Sequence, residues 1–130
     1  MSLEYPEELQ YLDSHEYVRL EGAIATLGIS AFAIDQLGDI VFLELPAVGE
    51  AVAQGETFGT VESVKAVESM YSPVSGIVLE RNEQMVDNPE NLAADPYTTG
   101  WLLKISLAED NSLADNVLSA EEYRSLVAGE

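Results

Sequence analysis

The apolar residues of this chain come in short runs. Each is stopped by glycine, proline or a polar turn before it could make a helix of ordinary length, so most of the chain is committed to β-structure. Ile40-Val41-Phe42-Leu43-Glu44-Leu45 ends at Pro46, and Gly49, Gly55 and Gly59 punctuate the next stretch. Thr57 to Val64 and Ala66 to Tyr71 read as two strands with Lys65 between them. Ser72-Pro73-Val74-Ser75-Gly76 is a turn before the strand Ile77-Val78-Leu79-Glu80, and Trp101 to Leu107 is a further strand. Near the amino end, Tyr17 to Leu20 and Ala23 to Leu27 flank a hairpin turn at Glu21-Gly22. Helix signals are few. Ser30 can cap a short helix through Ala31 to Gln36 that Gly38 stops. Ser119-Ala120-Glu121-Glu122 is a capping box, opening a helix with Tyr123, Leu126 and Val127 expected on one face. Residues 83–99 are polar and rich in Asn and Pro, and read mostly as loop. The pattern predicts a mainly β sandwich or partly open barrel, flanked by a few short helices including a C-terminal one. A single domain over residues 1–130 is expected. Gly38 to Glu44 also echoes Ser75 to Glu80, as two similar strand units about a pseudo-two-fold axis would.

Charge narrows the function. Five Lys and Arg face 24 Asp and Glu, a net charge of −19. Nucleic acid and anionic membrane surfaces repel such a chain, and cationic patches on partner proteins complement it, although the same acid excess also serves solubility. With no cysteine, disulfides, thiolate metal sites and cysteine nucleophiles are excluded. His15 is the only histidine and has no second imidazole or thiolate with which to share a metal. Asp87, Glu90 and Asp95 lack the EF-hand spacing and read as a solvated acidic loop. Neither a nucleophile elbow nor a phosphate-binding glycine pattern is present. Trp101 reads as a core or sheet-anchoring aromatic. No apolar run is long enough to span a bilayer, and residues 1–8 carry no signal or transit pattern, so a bacterial cytoplasmic protein is expected.

There are two lysines. Lys104 alternates with apolar neighbours in a strand and reads as solvent-facing. Lys65 sits at the tip of a predicted hairpin, where a modifying enzyme could reach its amine, yet most lysines at turns are ordinary surface residues. The surrounding sequence decides between these. Glu62-Ser63-Val64-Lys65-Ala66, followed by Tyr71-Ser72-Pro73-Val74-Ser75-Gly76, resembles the lipoyl attachment segment of glycine cleavage H proteins. Upstream lie His15-Glu16-Tyr17-Val18, Thr26-Leu27-Gly28-Ile29-Ser30, Leu37-Gly38-Asp39-Ile40-Val41-Phe42 and Leu45-Pro46 with Val48-Gly49. Pro96-Tyr97, Gly100-Trp101-Leu102 and Glu122-Tyr123 come downstream in the family's order. Tyr17 stands where the family usually has Trp, and Ala93 where it usually has Asn.

The resemblance implies a lipoyl/biotinyl-carrier-like barrel-sandwich hybrid carrying lipoic acid as lipoyllysine on Lys65. Glu62, Ser63, Val64 and Ala66 become the recognition segment for lipoylating enzymes. The absence of cysteine suits a dithiol cofactor, since a protein thiol could exchange with it. The implied function is that of a non-catalytic carrier. Glycine decarboxylase, a pyridoxal-phosphate enzyme, loads the arm with the aminomethyl group of glycine. An aminomethyltransferase delivers that carbon to tetrahydrofolate, and dihydrolipoamide dehydrogenase reoxidises the dithiol. A monomer is expected. Glu16 is the candidate for pairing with the arm's cationic amine; orienting His15 or capping a turn are its alternative roles. Lipoyl domains of 2-oxoacid dehydrogenases usually centre on Asp-Lys-Ala and biotin carriers on Met-Lys-Met, and Val64-Lys65-Ala66 fits neither as well. A relay that hands lipoyl groups to other carriers would use the same Lys65.

Overall fold

The structure, a computed structural model, describes residues 5–108 and 117–129. Residues 1–4, on which the reading of the amino terminus partly rests, lie outside the described residues, as do 109–116 and 130. Strands β1 (Gln10–Leu12), β2 (Glu16–Glu21), β3 (Ile24–Ile29) and β4 (Ile40–Glu44) open the chain, with helix α1 (Ala31–Leu37) between the last two. Next come β5 (Ala51–Val52), β6 (Thr57–Ser63), β7 (Val67–Tyr71) and β8 (Gly76–Arg81). Helix α2 (Glu83–Asp87) and a 3-10 helix (Pro89–Ala93) precede β9 (Leu103–Leu107), β10 (Val117–Leu118) and helix α3 (Ala120–Ala128). The strands form a seven-stranded sheet, ordered β10-β1-β2-β3-β9-β8-β5, and a three-stranded sheet, β4-β6-β7. This is the mainly β architecture with flanking helices that the run pattern predicts.

Alternation fixes which face each strand buries. Ala25, Leu27 and Ile29 of β3, Leu103 and Ile105 of β9 and Val78 of β8 turn inward from the large sheet. They share one core with Leu43, Val61 and Met70 of the small sheet. The β2–β3 hairpin turns through Gly22, whose φ of +62° favours a residue without a Cβ. Gly28 has a different reason to be glycine: a Cβ there would collide with the Tyr17 ring. Tyr17 turns away from the main core into a second cluster with Leu9, Tyr11, Ala120 and Tyr123. There the rings of Tyr11 and Tyr123 stack with centroids 4.5 Å apart, fastening α3 to β1.

Several expectations need correction. Residues 83–99 are not mostly loop: Asn82 caps α2, while Met85 and Leu92 are buried. The predicted strand from Trp101 begins at Leu103, and Trp101 is half-buried, with the Lys104 ammonium 4.9 Å from its ring centroid. Leu126 is exposed, so the inner face of α3 is Ala120, Tyr123 and Val127. The internal echo does not extend to side-chain direction. Ile40 is buried and Val41 exposed in β4, whereas Ile77 is exposed and Val78 buried in β8.

Candidate functional site

The β6–β7 hairpin is held by one hydroxyl. Ser63 Oγ accepts hydrogen bonds from the N–H groups of Lys65 (3.2 Å) and Ala66 (3.1 Å). The Ser63 N–H donates to the Ala66 carbonyl at 2.8 Å, and the Val64 N–H reaches the Asp39 carbonyl just before β4 at 3.2 Å. A buried serine at the base of the turn therefore ties its backbone together and presents Lys65 outward. Among the described residues, Arg19, Arg81, Lys104 and Arg124 each lie within 4.0 Å of a carboxylate, and Lys65 is in no ion pair. Of the other predicted recognition residues, Val64 is exposed, while Glu62 and Ala66 are half-buried.

Behind the hairpin lies a cleft of about 400 Å³ whose rim includes Lys65 and Ala66. Its walls come from four separate stretches of chain. Ile29, Phe32, Leu37, Val61 and Met70 make it apolar, and Gln36, Glu68 and Ser69 add polar groups. Ser14, His15 and Glu16 form a polar end. Glu16 is 1% exposed, and both carboxylate oxygens are engaged. One accepts from Ser14 Oγ at 2.5 Å; the other accepts from the Tyr71 N–H at 2.6 Å, crossing from β2 to β7. Burial pushes this carboxyl up to about 7, against the pull of those two hydrogen bonds. A cation in the cleft would favour the ionised form of Glu16.

His15 adopts φ +84°, which few residues other than glycine tolerate. Its backbone N–H bonds to the Leu12 carbonyl and its own carbonyl accepts from the Ser30 N–H, both at 2.9 Å. Its Nδ1 lies 2.7 Å from the Tyr123 hydroxyl, which in turn lies 2.6 Å from Ser30 Oγ. The C-terminal helix thus supports the cleft from below. Sequence reasoning places Tyr123 only on a helix face and misses this link, along with Phe32, Gln36 and Met70. The sole signal in the sequence is that Tyr123 belongs to the ordered set of matched segments.

Among the described residues, no group of three or more His, Asp or Glu side chains could hold a metal ion. No helix formed by them is long and apolar enough to cross a membrane.

The sequence model of the family described as glycine cleavage H-protein matches residues 9–130. The glycine cleavage system H protein of Cyanothece sp. (strain PCC 7425 / ATCC 29141) is 67% identical over 99% of both chains. That of Gloeothece citriformis (strain PCC 7424) is 65% identical over 100% of this chain and 99% of its own. The crystal structure of a glycine cleavage system H protein from Mycobacterium marinum superposes with a TM-score of 0.87 at 36% identity, covering 95% of this chain and 98% of that one.

Proposed function

The chain belongs to the glycine cleavage H-protein family, and we propose that it is that system's lipoyl carrier, with lipoic acid joined to Lys65 Nζ through an amide bond. One observation carries the assignment. Lys65 is exposed and in no ion pair among the described residues, on a hairpin fixed by Ser63 at the rim of a cleft. Acylation there removes a charge that supports no described contact.

The cleft fits such a group. Ile29, Phe32, Leu37, Val61 and Met70 suit an aliphatic chain and its ring, and Glu16 at the polar end suits an amine. When bound on Lys65, the lipoyl group would supply a redox-active dithiolane for the transfer of glycine's aminomethyl group from glycine decarboxylase to the tetrahydrofolate-dependent aminomethyltransferase, and dihydrolipoamide dehydrogenase would restore its oxidised form. The chain's own residues position and shelter. Ser63 sets where the Lys65 side chain leaves the surface. The apolar wall keeps water away, and Glu16 holds a cationic amine that enters the cleft. Nothing in this role needs a side chain of this chain as acid, base or nucleophile, so the protein acts as a carrier. It works as one domain and as a monomer, its further partner being the enzyme that lipoylates it. The bacterial relatives support a cytoplasmic place of work.

The test is intact mass with peptide mapping after co-expression with a lipoylating enzyme. Wild type and Lys65→Arg are compared, with Lys104→Arg as control. One lipoyl adduct is expected in wild type and Lys104→Arg and none in Lys65→Arg. A wild type left without an adduct by an enzyme active on another carrier would overturn the assignment.

A further inference from the structure

The three-stranded sheet carries an apolar surface that the fold does not use. Phe42, Glu62 and Val67 stand directly opposite one another across β4, β6 and β7, so their side chains share one face. Adjacent strands lie about 4.8 Å apart, which puts Phe42 and Val67 roughly 10 Å from each other with Glu62 between them. A register shift between Ile40 and Phe42 breaks the alternation of β4, leaving Val41 and Phe42 exposed in succession. Val41 is 49% exposed, Phe42 51%, Val64 72% and Val67 62%. The hydrogen bond from Val64 to Asp39 brings the hairpin tip that carries Lys65 against the start of β4, so the row from Phe42 to Val67 lies on the strands that lead to that tip. Scattered apolar residues on a surface mean little, but this group is gathered on one small sheet and its hairpin and includes an aromatic. Glu62 lies within it, Asp39 and Glu44 are exposed beside it, and the four other Lys and Arg of the chain are paired elsewhere.

We propose that Val41, Phe42, Val64 and Val67 form the docking surface for the enzyme that acylates Lys65, and that this enzyme presents an apolar platform bordered by Arg and Lys. The inference rests on the acylation of Lys65 and adds where the acylating enzyme binds. Charge and reach select this occupant. An apolar surface interleaved and flanked with carboxylates is complemented by an apolar surface that carries Arg and Lys. Reach points the same way. An enzyme that joins a group to Nζ must bring its own reacting atoms within a lysine side chain's length of the hairpin backbone, so its surface covers the tip and the strands beside it. Enzymes that act on the far end of a long arm can stand further off.

The experiment measures kcat/KM for lipoylation of the full chain by a purified lipoylating enzyme. The variants are Phe42→Thr with Val67→Thr, which keep strand-forming side chains, and Ile77→Thr, an equally exposed apolar position on the other sheet. The double variant is expected to melt as wild type does and to lose about tenfold in kcat/KM, through KM, as for the loss of an interface anchor. Ile77→Thr should match wild type. Equal kcat/KM in the double variant and wild type would overturn the surface while leaving Lys65 acylation intact. Unchanged lipoylation with a raised KM for glycine decarboxylase would also overturn it, assigning the patch to that enzyme instead. A wild type that accepts no lipoyl group would overturn both the acylation and the surface built on it.

Discussion

Glu16 joins the two sheets through one buried carboxyl, and its titration should be visible in stability. In the unfolded chain it ionises near 4.5, and in the folded protein near 7. Between those values the folded state holds a proton that the unfolded state has released. The raised pKa therefore costs nothing below the unfolded value, and stability falls as pH rises through the window. The full loss is about 3 kcal/mol, reached above pH 7. Gln cannot ionise, so Glu16→Gln should gain on wild type by up to that amount between about pH 5 and about pH 8, as read by chemical denaturation. A difference that stays constant with pH would refute this. The sequence marks Glu16 only through its neighbours in a matched segment. Its partner amide on Tyr71 lies on another sheet, and no local pattern announces a bond of that span.

Helix α3 shows which parts of an element can be read locally. Its capping box is complete, with Ser119 Oγ accepting from the Glu122 N–H and Glu122 accepting from the Ser119 N–H. That reciprocity is written into four adjacent residues, as the Ser30 cap of α1 is written into its own first turn. Which face packs depends on β1 and β10 arriving beside the helix, so Leu126 reads as inward from spacing alone and proves exposed. Likewise β1 and β10 need each other, pairing Tyr11 with Leu118 from opposite ends of the sequence, and neither is legible alone. In 83–99, Asn88 and Pro89, which suggest loop, are the cap position and the first residue of the 3-10 helix. Ser119→Ala should cost about 1 kcal/mol of stability. Tyr123→Ala should cost about 3–5 kcal/mol, since it empties a fully buried aromatic site. A nine-residue helix is too short to persist in isolation, so packing outweighs the cap here. Urea titrations giving the reverse order would contradict that ranking.

For the molecule as a whole, the net charge of −19 acts at distances no single contact reaches. Encounters with cationic partner surfaces should slow as ionic strength rises past the range where the screening length falls to about 10 Å. Transfer rates with glycine decarboxylase that stay flat from low to high salt would exclude electrostatic steering. Net charge is read directly from composition. The cleft cannot be, because its lining is drawn from residues 14–16, 29–37, 61 and 65–70 and exists only once both sheets and α1 have met. The serine latch beneath Lys65 has a consequence for how tightly that cleft must hold anything. With the proposed acylation, a group on Lys65 would turn about a fixed pivot, and a short tether would confine its free end to a local concentration in the ~mM range. An intrinsic affinity of similar size is then enough to keep the cleft filled about half the time. A partner would empty it by binding the same group more tightly than that. A hairpin that wandered would dilute the arm around its own protein, and only a stickier cleft, slower to let go at every hand-over, could compensate.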